Sequence, residues 1–564
     1  MGKIIRIDMT ERRVTTEKTP ADYQLLGGRG LSARILNREV PALAHALGSE
    51  NKLIIAPGLL AGTMAPSFGR ISFGAKSPLT QTIKESNAGG TAAQKLDRLD
   101  IKAIIIQGKP KDDQGYILLI GQRETKLLPA PELSGKKNYE LVRLLQDRYG
   151  KDIGVISIGP AGEARMTAST IAVTDQDGRP SRHAARGGLG AVMGSKGIKA
   201  VVINAEDAGV VKPIDREAFK KTLKDLIETL KRDKGSQSFS RFGTPGGIER
   251  LSQLGSMPSW NYHGGTVEGI ENLYGDRIAK TNQDRGGRMH GCMPGCVITC
   301  SIVFHGDDGR HLTSALEYET LAMLGSNLAI TNLDAIARMD RMCDELGVDT
   351  IEVGSAIAQV MEAGAIPFGD EKSVQEVLKK IGEGDYLGRV VGQGAAFTAH
   401  YFGLDRVPTA KGQAIPAHDP RACKAVGVTY CVSPMGADHT AGLDYRDSFS
   451  KEGQVKRSRD KQILMAANDS VGYCFLAMPS KGSLMYEVFA KLINARYGTD
   501  LTEENVATMG ITTIREELAF NRSTGWRDVH NRLPDFMKTE KLPPHEVVFD
   551  IPQEEIDSIY EDLG

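Results

Sequence analysis

Short apolar runs rich in β-branched residues divide the first third of the chain into predicted strands. Seven runs are bounded by glycine, proline or aspartate, at residues 4–7, 53–55, 71–73, 103–106, 117–120, 155–158 and 201–203. Two segments with apolar residues at helical spacing, 90–99 and 138–149, interrupt them. This pattern predicts a strand-rich region from residue 1 to about residue 208.

After residue 208 the apolar spacing changes and predicts mainly helices. A helix opens at residues 212–215, and others are predicted at 317–328, 332–346, 351–363 and 373–381. Prolines within 407–419 indicate a second boundary near residue 415, and the stretch 418–446 is rich in loop-forming residues. We therefore predict an α+β fold with a β-rich domain at 1–208 and two mainly α-helical domains at 209–415 and 416–564.

Composition narrows the classes of function. The 70 Lys and Arg residues nearly balance the 71 Asp and Glu residues, so a basic nucleic-acid surface is not expected. The longest apolar runs are the size of strands and the first residues lack a signal-peptide pattern, which predicts a cytoplasmic protein without a membrane span. Glycine makes up 63 of 564 residues, above usual usage, and much of it lies in compact runs that allow close backbone approach to a ligand.

Three of the seven cysteines, Cys292, Cys296 and Cys300, lie within nine residues. Three thiolates at this spacing suit one metal centre, and a [4Fe–4S] cluster requires a fourth ligand from elsewhere. Structural zinc favours C-x2-C pairs, which are absent from the sequence, and buried thiols that only pack as small apolar groups are the remaining alternative. Spacing alone does not choose the fourth ligand from Cys343, Cys423, Cys431 and Cys474.

Glycine and arginine segments in the first 200 residues predict an anion site. The segments are GGRG (27–30), SNAGG (86–90), RGGLG (186–190) and MGSKG (193–197). Free backbone amides at a helix start and arginine guanidinium groups both suit phosphate. Neither a G-x-G-x-x-G after a strand nor a G-x4-G-K-[ST] motif is present, which disfavours NAD and ATP.

Three further features are weak when each is taken alone. Residues 344–349 and 469–474 share the pattern D-x-x-G-x-[D/C], and each follows a predicted helix, as unrelated helix ends also do. His439 lies in a Gly/Pro loop, where a hydrogen-bonded surface histidine is common. Glu317 and Glu319 lie at a predicted helix start, where acidic residues favour the positive end of the helix.

Taken in order, the motifs resemble the tungsten-pterin aldehyde:ferredoxin oxidoreductase family over nearly the whole chain. The matching segments are GGRGLSARIL (27–36), APGLLAGTMAPSFGR (56–70), KSPLT (76–80), SNAGG (86–90), IGPAGE (158–163), ARGGLGAVMGSKGIKA (185–200), the cysteine segment, EYETLAMLGSN (317–327), CDELGVD (343–349), HDPRA (418–422), SPMGADH (433–439) and NDSVGYCF (468–475). The resemblance implies a tungsten (or molybdenum) bis-pterin, Mg²⁺ between the pterin phosphates, and a [4Fe–4S] cluster.

The resemblance also implies a role for each matching residue. Cys474 would be the fourth cluster ligand, beside Cys292, Cys296 and Cys300. His439 and either Glu317 or Glu319, with Glu317 slightly preferred, would carry protons next to the metal. The cofactor-binding set would be Arg70, Asn87, Ala88, Gly89, Arg186, Gly187, Asp344, Gly347, Asp469 and Gly472.

The chain departs from the family pattern at several points. The cysteine spacing is C-x3-C-x3-C instead of the usual C-x2-C-x3-C, and Gln81 stands where glycine is frequent. Met435 replaces a common arginine, which removes a cation near the implied active site. No histidine occurs between His311 and His400, which argues against a metal site that bridges two subunits.

The activity implied by the resemblance is oxidation of an aldehyde to a carboxylic acid. Electrons would pass to ferredoxin or to an iron–sulfur subunit, in a homodimer or a hetero-oligomer. One alternative is a reductase of activated acids or aromatic rings that uses the same cofactors and a dedicated electron-transfer subunit. A non-catalytic iron–sulfur carrier or cofactor-storage protein is the other, and His439, Glu317 and the two D-x-x-G segments argue against it.

Overall fold

Two mixed sheets of six strands each form the N-terminal part of the computed structural model, which describes residues 2–563. The first sheet contains β1 (Lys3–Asp8), β2 (Arg13–Lys18), β3 (Leu53–Pro57), β4 (Ile71–Lys76), β5 (Ile83–Ala88) and β6 (Ile101–Gln107). The second contains β7 (Tyr116–Ile120), β8 (Thr125–Pro129), β9 (Gly154–Ser157), β10 (Ile171–Val173), β11 (Arg182–Ala184) and β12 (Ile198–Ile203).

The two sheets have the same topology. The first has the spatial order β2-β1-β6-β3-β4-β5, and the second, from its other edge, has the order β8-β7-β12-β9-β10-β11. In each sheet one neighbouring pair is parallel, β1 with β6 and β7 with β12, and the other pairs are antiparallel. The N-terminal region is therefore a structural repeat, and its equivalent edge strands β5 and β11 contact each other.

Helices occupy equivalent places in the two halves. The N-terminal helices are α1 (Gly28–Glu39), α2 (Ala92–Arg98), α3 (Asn138–Tyr149), α4 (Pro160–Glu163) and α5 (Leu189–Ser195). Helices α1 and α3 each have 12 residues and precede the third strand of their sheet, while α2 and α5 each have 7 and precede the last. The GGRG segment, expected to be an anion-binding loop, instead begins α1, and its Arg29 is buried in an ion pair.

The rest of the described chain is mainly helical, as predicted, and this confirms the α+β fold class. Its helices are α6 (Arg216–Arg232), α7 (Lys234–Phe242), α8 (Ile248–Gln253), α9 (Gly275–Asp284), α10 (Tyr318–Met323), α11 (Leu333–Leu346), α12 (Thr350–Glu362), α13 (Glu371–Glu383), α14 (Tyr386–Gly392), α15 (Ala395–Phe402), α16 (Lys424–Val432), α17 (Gln454–Val471), α18 (Leu484–Tyr497), α19 (Glu503–Ser523), α20 (Phe536–Thr539) and α21 (Gln553–Asp557). Within residues 2–563 no helix is long and apolar enough to span a membrane.

Short strands frame two of the functional segments. A three-stranded sheet contains β13 (Arg288–His290), β14 (Ser301–His305) and β15 (His311–Ser314), and a hairpin contains β16 (Thr409–Ala410) and β17 (Gln413–Ala414). The cysteine segment 291–300 connects β13 to β14. The stretch 418–446, predicted to be loop-rich, contains α16, which is buried on all sides and so lacks an amphipathic pattern. The domain boundaries at residues 208 and 415 stay a prediction.

A buried ion pair connects α1 to α19 beneath the first sheet. The Arg29 Nε and Nη2 atoms donate to the two carboxylate oxygens of Glu517 at 2.7 and 2.8 Å, and both side chains are 1% exposed. Removal of Glu517 leaves the buried Arg29 with the more distant Asp469, whose Oδ2 atom lies 3.4 Å from Arg29 Nη1. We expect Glu517→Gln to lower the free energy of unfolding by about 3–5 kcal/mol in urea titrations. The matched change Asp22→Asn, which breaks an ion pair with Arg38 on the surface, should leave it nearly unchanged.

Candidate active site

A cavity of about 500 Å³ lies where the two sheets meet the helical part of the chain. Its walls come from the equivalent edge strands β5 and β11, the cysteine segment, the start of α10, and the loop that contains His439. The C-terminal ends of α11 and α17 complete them. Segments separated by up to several hundred residues in the sequence thus surround one space.

The two D-x-x-G segments end α11 and α17 in the same way. Gly347 and Gly472 both adopt left-handed φ angles, 72° and 81°, directly after the last helical residue. A Cβ on Gly472 would lie 2.7 Å from the Cα atom of Gly58, and one on Gly347 would lie 2.9 Å from the amide nitrogen of Gly159. Only glycine permits both the dihedral angle and this close approach.

Each D-x-x-G segment is fixed to a different sheet. Gly58 follows β3 and Gly159 follows β9, its equivalent in the second sheet. The Leu59 amide donates to the Ser470 carbonyl at 3.0 Å, and the Thr170 amide donates to the Gly347 carbonyl at 2.8 Å. The structural repeat therefore presents two equivalent helix ends to the cavity, with Asp344 and Asp469 among its walls.

The four cysteines named for the cluster come together at one side of this cavity. Cys292, Cys300 and Cys474 are among its walls, and the Cys296 thiol lies 3.8 Å from the Ser67 hydroxyl. Burial raises the pKa of Cys292 to about 12, with further contributions from the nearby thiols of Cys474 and Cys296. Among the described residues, these four form the one set of neighbouring thiols, and such a set fits an iron–sulfur cluster.

Glycines allow the cysteine segment to approach the sheets. A Cβ on Gly89 would lie 2.9 Å from the Cys292 sulfur, so a side chain there would collide with the thiol. Gly295 has a φ of 76°, a left-handed turn between Cys292 and Cys296. This turn lies within the first spacing of the C-x3-C-x3-C segment.

Glu319, rather than Glu317, lies against His439. The His439 Nδ1 atom is 3.5 Å from Glu319 Oε1, and the His418 Nε2 atom is 3.1 Å from the same oxygen. Burial favours the neutral carboxyl, but His439, His418 and the Ala417 amide outweigh it and lower the pKa of Glu319 to about 2. Burial lowers the pKa of His439 to about 4, despite the opposing effect of Glu319. At neutral pH the pair is therefore a carboxylate beside a neutral imidazole.

Glu317 has different partners on the same cavity wall. Its Oε2 atom accepts a hydrogen bond from the Thr244 hydroxyl at 2.5 Å, and Arg182 Nη1 lies 3.7 Å from Oε1. Burial raises the pKa of Cys300, and the negative charge of Glu317 raises it further. Glu317 thus faces the thiols, while Glu319 faces the two imidazoles.

Several buried polar atoms in the cavity walls have no partner within the described part of the chain. They are the Nε and Nη2 atoms of Arg182, the Nε atom of Arg186 and the His439 Nδ1 atom, none of which makes a well-aligned hydrogen bond. Buried polar groups are seldom left unpaired in native proteins. The cavity is therefore built for a polar or charged ligand that contacts these atoms.

Family models identify the chain along almost its full length. The model described as the N-terminal domain of aldehyde ferredoxin oxidoreductase matches residues 4–205, and the model for domains 2 and 3 matches residues 221–564. The chain belongs to the aldehyde ferredoxin oxidoreductase family. Membership implies a tungsten-pterin and an iron–sulfur cofactor, in agreement with the thiol set and the unpaired polar atoms of the cavity.

Individual relatives of this family member have different named activities. The tungsten-containing aldehyde ferredoxin oxidoreductase of Pyrococcus furiosus is 29% identical over 573 residues, covering 96% of this chain and 92% of the relative. The WOR-like subunit of an aliphatic sulfonate oxidoreductase from the same organism is 27% identical, covering 89% and 83%. The active-site complex BamBC of benzoyl coenzyme A reductase, solved with 1,5-dienoyl-CoA, shares the fold with a TM-score of 0.83 at 20% identity, covering 100% and 94%.

The residues matched to the family's cofactor contacts fall into two groups. Arg70, Asn87, Ala88, Gly89, Arg186, Asp344 and Asp469 are among the cavity walls, whereas Gly187, Gly347 and Gly472 lie one or two residues along the chain from a wall residue. Arg70 donates to the Asn87 carbonyl at 3.0 Å and to its side chain. Arg186 donates to Asp349 at 3.0 Å. The role of each residue toward a cofactor stays a prediction.

Sequence reasoning missed four residues in the walls of this family member's cavity. Glu85 lies on β5, and burial together with the neighbouring Asp469 raises the pKa of Glu85 to about 8. His183 lies 3.0 Å from Asp344, and Arg182 lies between the thiols and Glu317. His418 begins the matching HDPRA segment, which gave a signal, but the resemblance assigned it no role.

Proposed function

We propose that this chain is a tungsten-dependent oxidoreductase that converts an aldehyde and water to a carboxylic acid. The balanced reaction is R–CHO + H₂O → R–COOH + 2H⁺ + 2e⁻. One observation carries the proposal: the walls of one cavity contain three of the four neighbouring thiols and an ionised carboxylate beside a neutral imidazole. The thiols suit electron removal through an iron–sulfur cluster, and the pair suits proton removal.

The proposed cofactor contacts follow the matching residues. Cys292, Cys296, Cys300 and Cys474 would hold a [4Fe–4S] cluster, and Asp344 and Asp469 would each contact one pterin. Arg70, Asn87 and Arg186 would face the pterin phosphates and Mg²⁺, because guanidinium groups and amides neutralise phosphate charge. When bound, tungsten (or molybdenum) bis-pterin supplies two-electron chemistry and the cluster carries single electrons out.

Glu319 and His439 would handle the protons of the reaction. A neutral imidazole accepts a proton from a water molecule or a substrate hydroxyl, and the adjacent carboxylate stabilises the imidazolium that forms. Burial of both groups strengthens this charge interaction relative to water. The two protons of the balanced reaction would thus leave through this pair.

Ferredoxin or an iron–sulfur subunit is the proposed electron acceptor. The relatives named as a WOR-like subunit and as the BamBC complex assemble with other chains, which supports a hetero-oligomer; a homodimer is the other proposed assembly. Cys296 is the least buried of the four thiols, so an acceptor would approach on its side. We place the protein in the reducing cytoplasm, where its seven free thiols are stable.

Metal analysis of anaerobically purified protein, together with aldehyde-dependent dye reduction, tests this proposal. We expect tungsten or molybdenum, iron and pterin in the same preparation, and reduction of a viologen dye when an aldehyde series is added. Iron without tungsten or molybdenum would contradict the enzyme proposal and favour an electron carrier. Full metal content without dye reduction by any aldehyde would contradict only the substrate.

A reductase of thioesters or aromatic rings is the second candidate. Met435 supports it, because this cavity-wall residue stands where the family commonly has arginine and leaves a more apolar surface. The shared fold with the benzoyl coenzyme A reductase complex is consistent with it. Oxidation of a reduced low-potential dye by an aromatic coenzyme A thioester, without any reaction with aldehydes, would favour this candidate.

A further inference from the structure

His418 is a buried imidazole with a polar contact on both ring nitrogens. The ring is 3% exposed and stacks on the Tyr318 ring at a centroid distance of 5.0 Å and an interplanar angle of 14°. Its Nε2 atom lies 3.1 Å from Glu319 Oε1, and the Tyr445 hydroxyl lies 3.1 Å from its Nδ1 atom. Because a carboxylate only accepts hydrogen bonds, we assign the ring proton to Nε2, and Nδ1 accepts from the hydroxyl.

Neighbouring N–H groups contact both carboxylate oxygens of Glu319. The Ala417 amide donates to Oε2 at 2.8 Å, while His418 contacts Oε1. The Tyr318 hydroxyl donates to the Ala417 carbonyl at 2.5 Å, so the peptide beside His418 is fixed by the residue that stacks on the ring. The free lone pair of Oε1 then faces the Nδ1 atom of His439 at 3.5 Å.

We propose that His418 is a positioning residue: held by Tyr445 and Tyr318, its imidazole aims the Glu319 carboxylate at His439. This inference rests on the proposed function of Glu319 and His439 as the proton-handling pair. His418 contacts no reacting atom in this proposal and acts only through Glu319. Without it, one oxygen of a buried carboxylate loses its donor, and the cost of burial then favours the protonated form.

The charge of Glu319 depends on several groups around it. The titratable and charged residues that face the Glu319–His439 pair are His418, Tyr262, Tyr318, Tyr430, Tyr445, Arg186 and Asp438. Burial raises the pKa of each of the four tyrosines well above 10, so they stay neutral over the working range. His439 and His418 both lie against Glu319 Oε1, and replacement of His418 therefore removes the contact made from outside the Glu319–His439 pair.

Two substitutions at His418 separate its hydrogen bond from its shape. His418→Phe keeps a ring to stack on Tyr318 but removes the donor to Glu319, while His418→Gln keeps an N–H donor. Activity requires ionised Glu319, with a pKa of about 2, and neutral His439, with a pKa of about 4, so the acid limb of kcat in the unchanged protein follows His439. We expect His418→Phe to raise the pKa of Glu319 above that of His439, which moves the acid limb upward. Below the raised pKa, kcat should fall roughly tenfold for each pH unit, with recovery near pH 8 and little change in KM.

The conservative variants provide the controls. His418→Gln should keep the acid limb close to that of the unchanged protein, and Tyr445→Phe should shift it in the same direction as His418→Phe but less. Tungsten and iron contents must match across the series. An unchanged acid limb in both His418→Phe and Tyr445→Phe, or equal loss at every pH in His418→Phe and His418→Gln, would overturn the proposal.

Infrared difference spectroscopy gives a readout that needs no turnover. Acidification should produce the carbonyl stretch of a protonated carboxyl at a higher pH in His418→Phe than in the unchanged protein, and Glu319→Gln should remove that band. Absence of the band shift would refute the positioning role. A band shift in protein that oxidises no aldehyde would instead uphold the positioning role and refute the proposed activity.

Discussion

Replacement of Cys474 by serine is expected to remove the four-iron cluster. Cys474 follows Gly472 at the end of α17, far along the chain from the cysteine segment, yet its thiol lies beside those of Cys292 and Cys296. A serine hydroxyl is a poor ligand for iron at neutral pH, so three thiolates would remain for a cluster that takes four. Iron content should fall from about four to about three atoms per chain or fewer, and the electron paramagnetic resonance spectrum should become that of a three-iron cluster or disappear.

A second buried cysteine provides the matched control for this change. Cys423 is fully buried, is not among the cavity walls and contacts the Ser256 hydroxyl, so we expect a serine to be tolerated there. Cys423→Ser should retain full iron content and spectrum. An intact four-iron spectrum in Cys474→Ser would show that the fourth ligand is a different residue. The Cys474 amide donates to the Ser67 carbonyl in either variant, so the local backbone is preserved.

The apolar pattern predicts the longer strands that bury apolar residues. All seven predicted runs are strands in the structure, and the pattern does not predict the other five strands of the two sheets, β2, β5, β8, β10 and β11. Strand β2 is an exposed edge strand with the sequence RVTTEK. Strand β5 buries Lys84 and Glu85 instead, and Lys84 donates to Asp438 and to the Met435 carbonyl. Its polar residues are buried because distant segments supply their partners, and no local pattern contains that information.

The apolar pattern also does not predict that the two sheets share one topology. Strand order depends on pairing between segments tens of residues apart, which the apolar pattern does not predict. Two features of the sequence reflect the repeat: the equivalent strands β6 and β12 share the sequence IKA followed by β-branched residues, and the two D-x-x-G segments each end a helix. Their shared glycine is explained by contact with Gly58 and Gly159 after equivalent strands. This contact appears only when the chain is folded.

The choice between Glu317 and Glu319 shows the same limit at the site itself. Both lie at the start of α10, and the helix start positions both side chains toward the cavity. Which of the two contacts His439 depends on the loop around His418. That loop is distant from α10 in the sequence but contacts it in the fold. The sequence identified the pair of candidates, and the structure separates them by their neighbours.

Glu319→Gln is expected to lower kcat about 10²- to 10⁴-fold, the range of a lost acid–base group. The amide is neutral and has one acceptor oxygen, so either the His418 ring or the Ala417 amide faces an NH₂ group instead of an acceptor. The side chain can therefore neither take a proton nor keep both contacts. Burial lowers the pKa of His439 and the Glu319 carboxylate raises it, so the variant also loses this opposing effect. The decrease should hold across the pH range, because a neutral amide does not titrate. Steady-state dye reduction with the preferred substrate measures it.

Glu317→Gln is the matched change two residues away, and it should behave differently. Glu317 contacts Thr244 and Arg182 on the side of Cys300, so its loss changes the charge near the cluster rather than the proton-handling pair. We expect less than a tenfold decrease in kcat and a higher cluster reduction potential, because removal of a nearby negative charge favours the reduced form. Redox titration of the cluster signal separates the two variants. A larger kcat loss in Glu317→Gln than in Glu319→Gln, at equal metal content, would assign the proton-handling role to Glu317 instead.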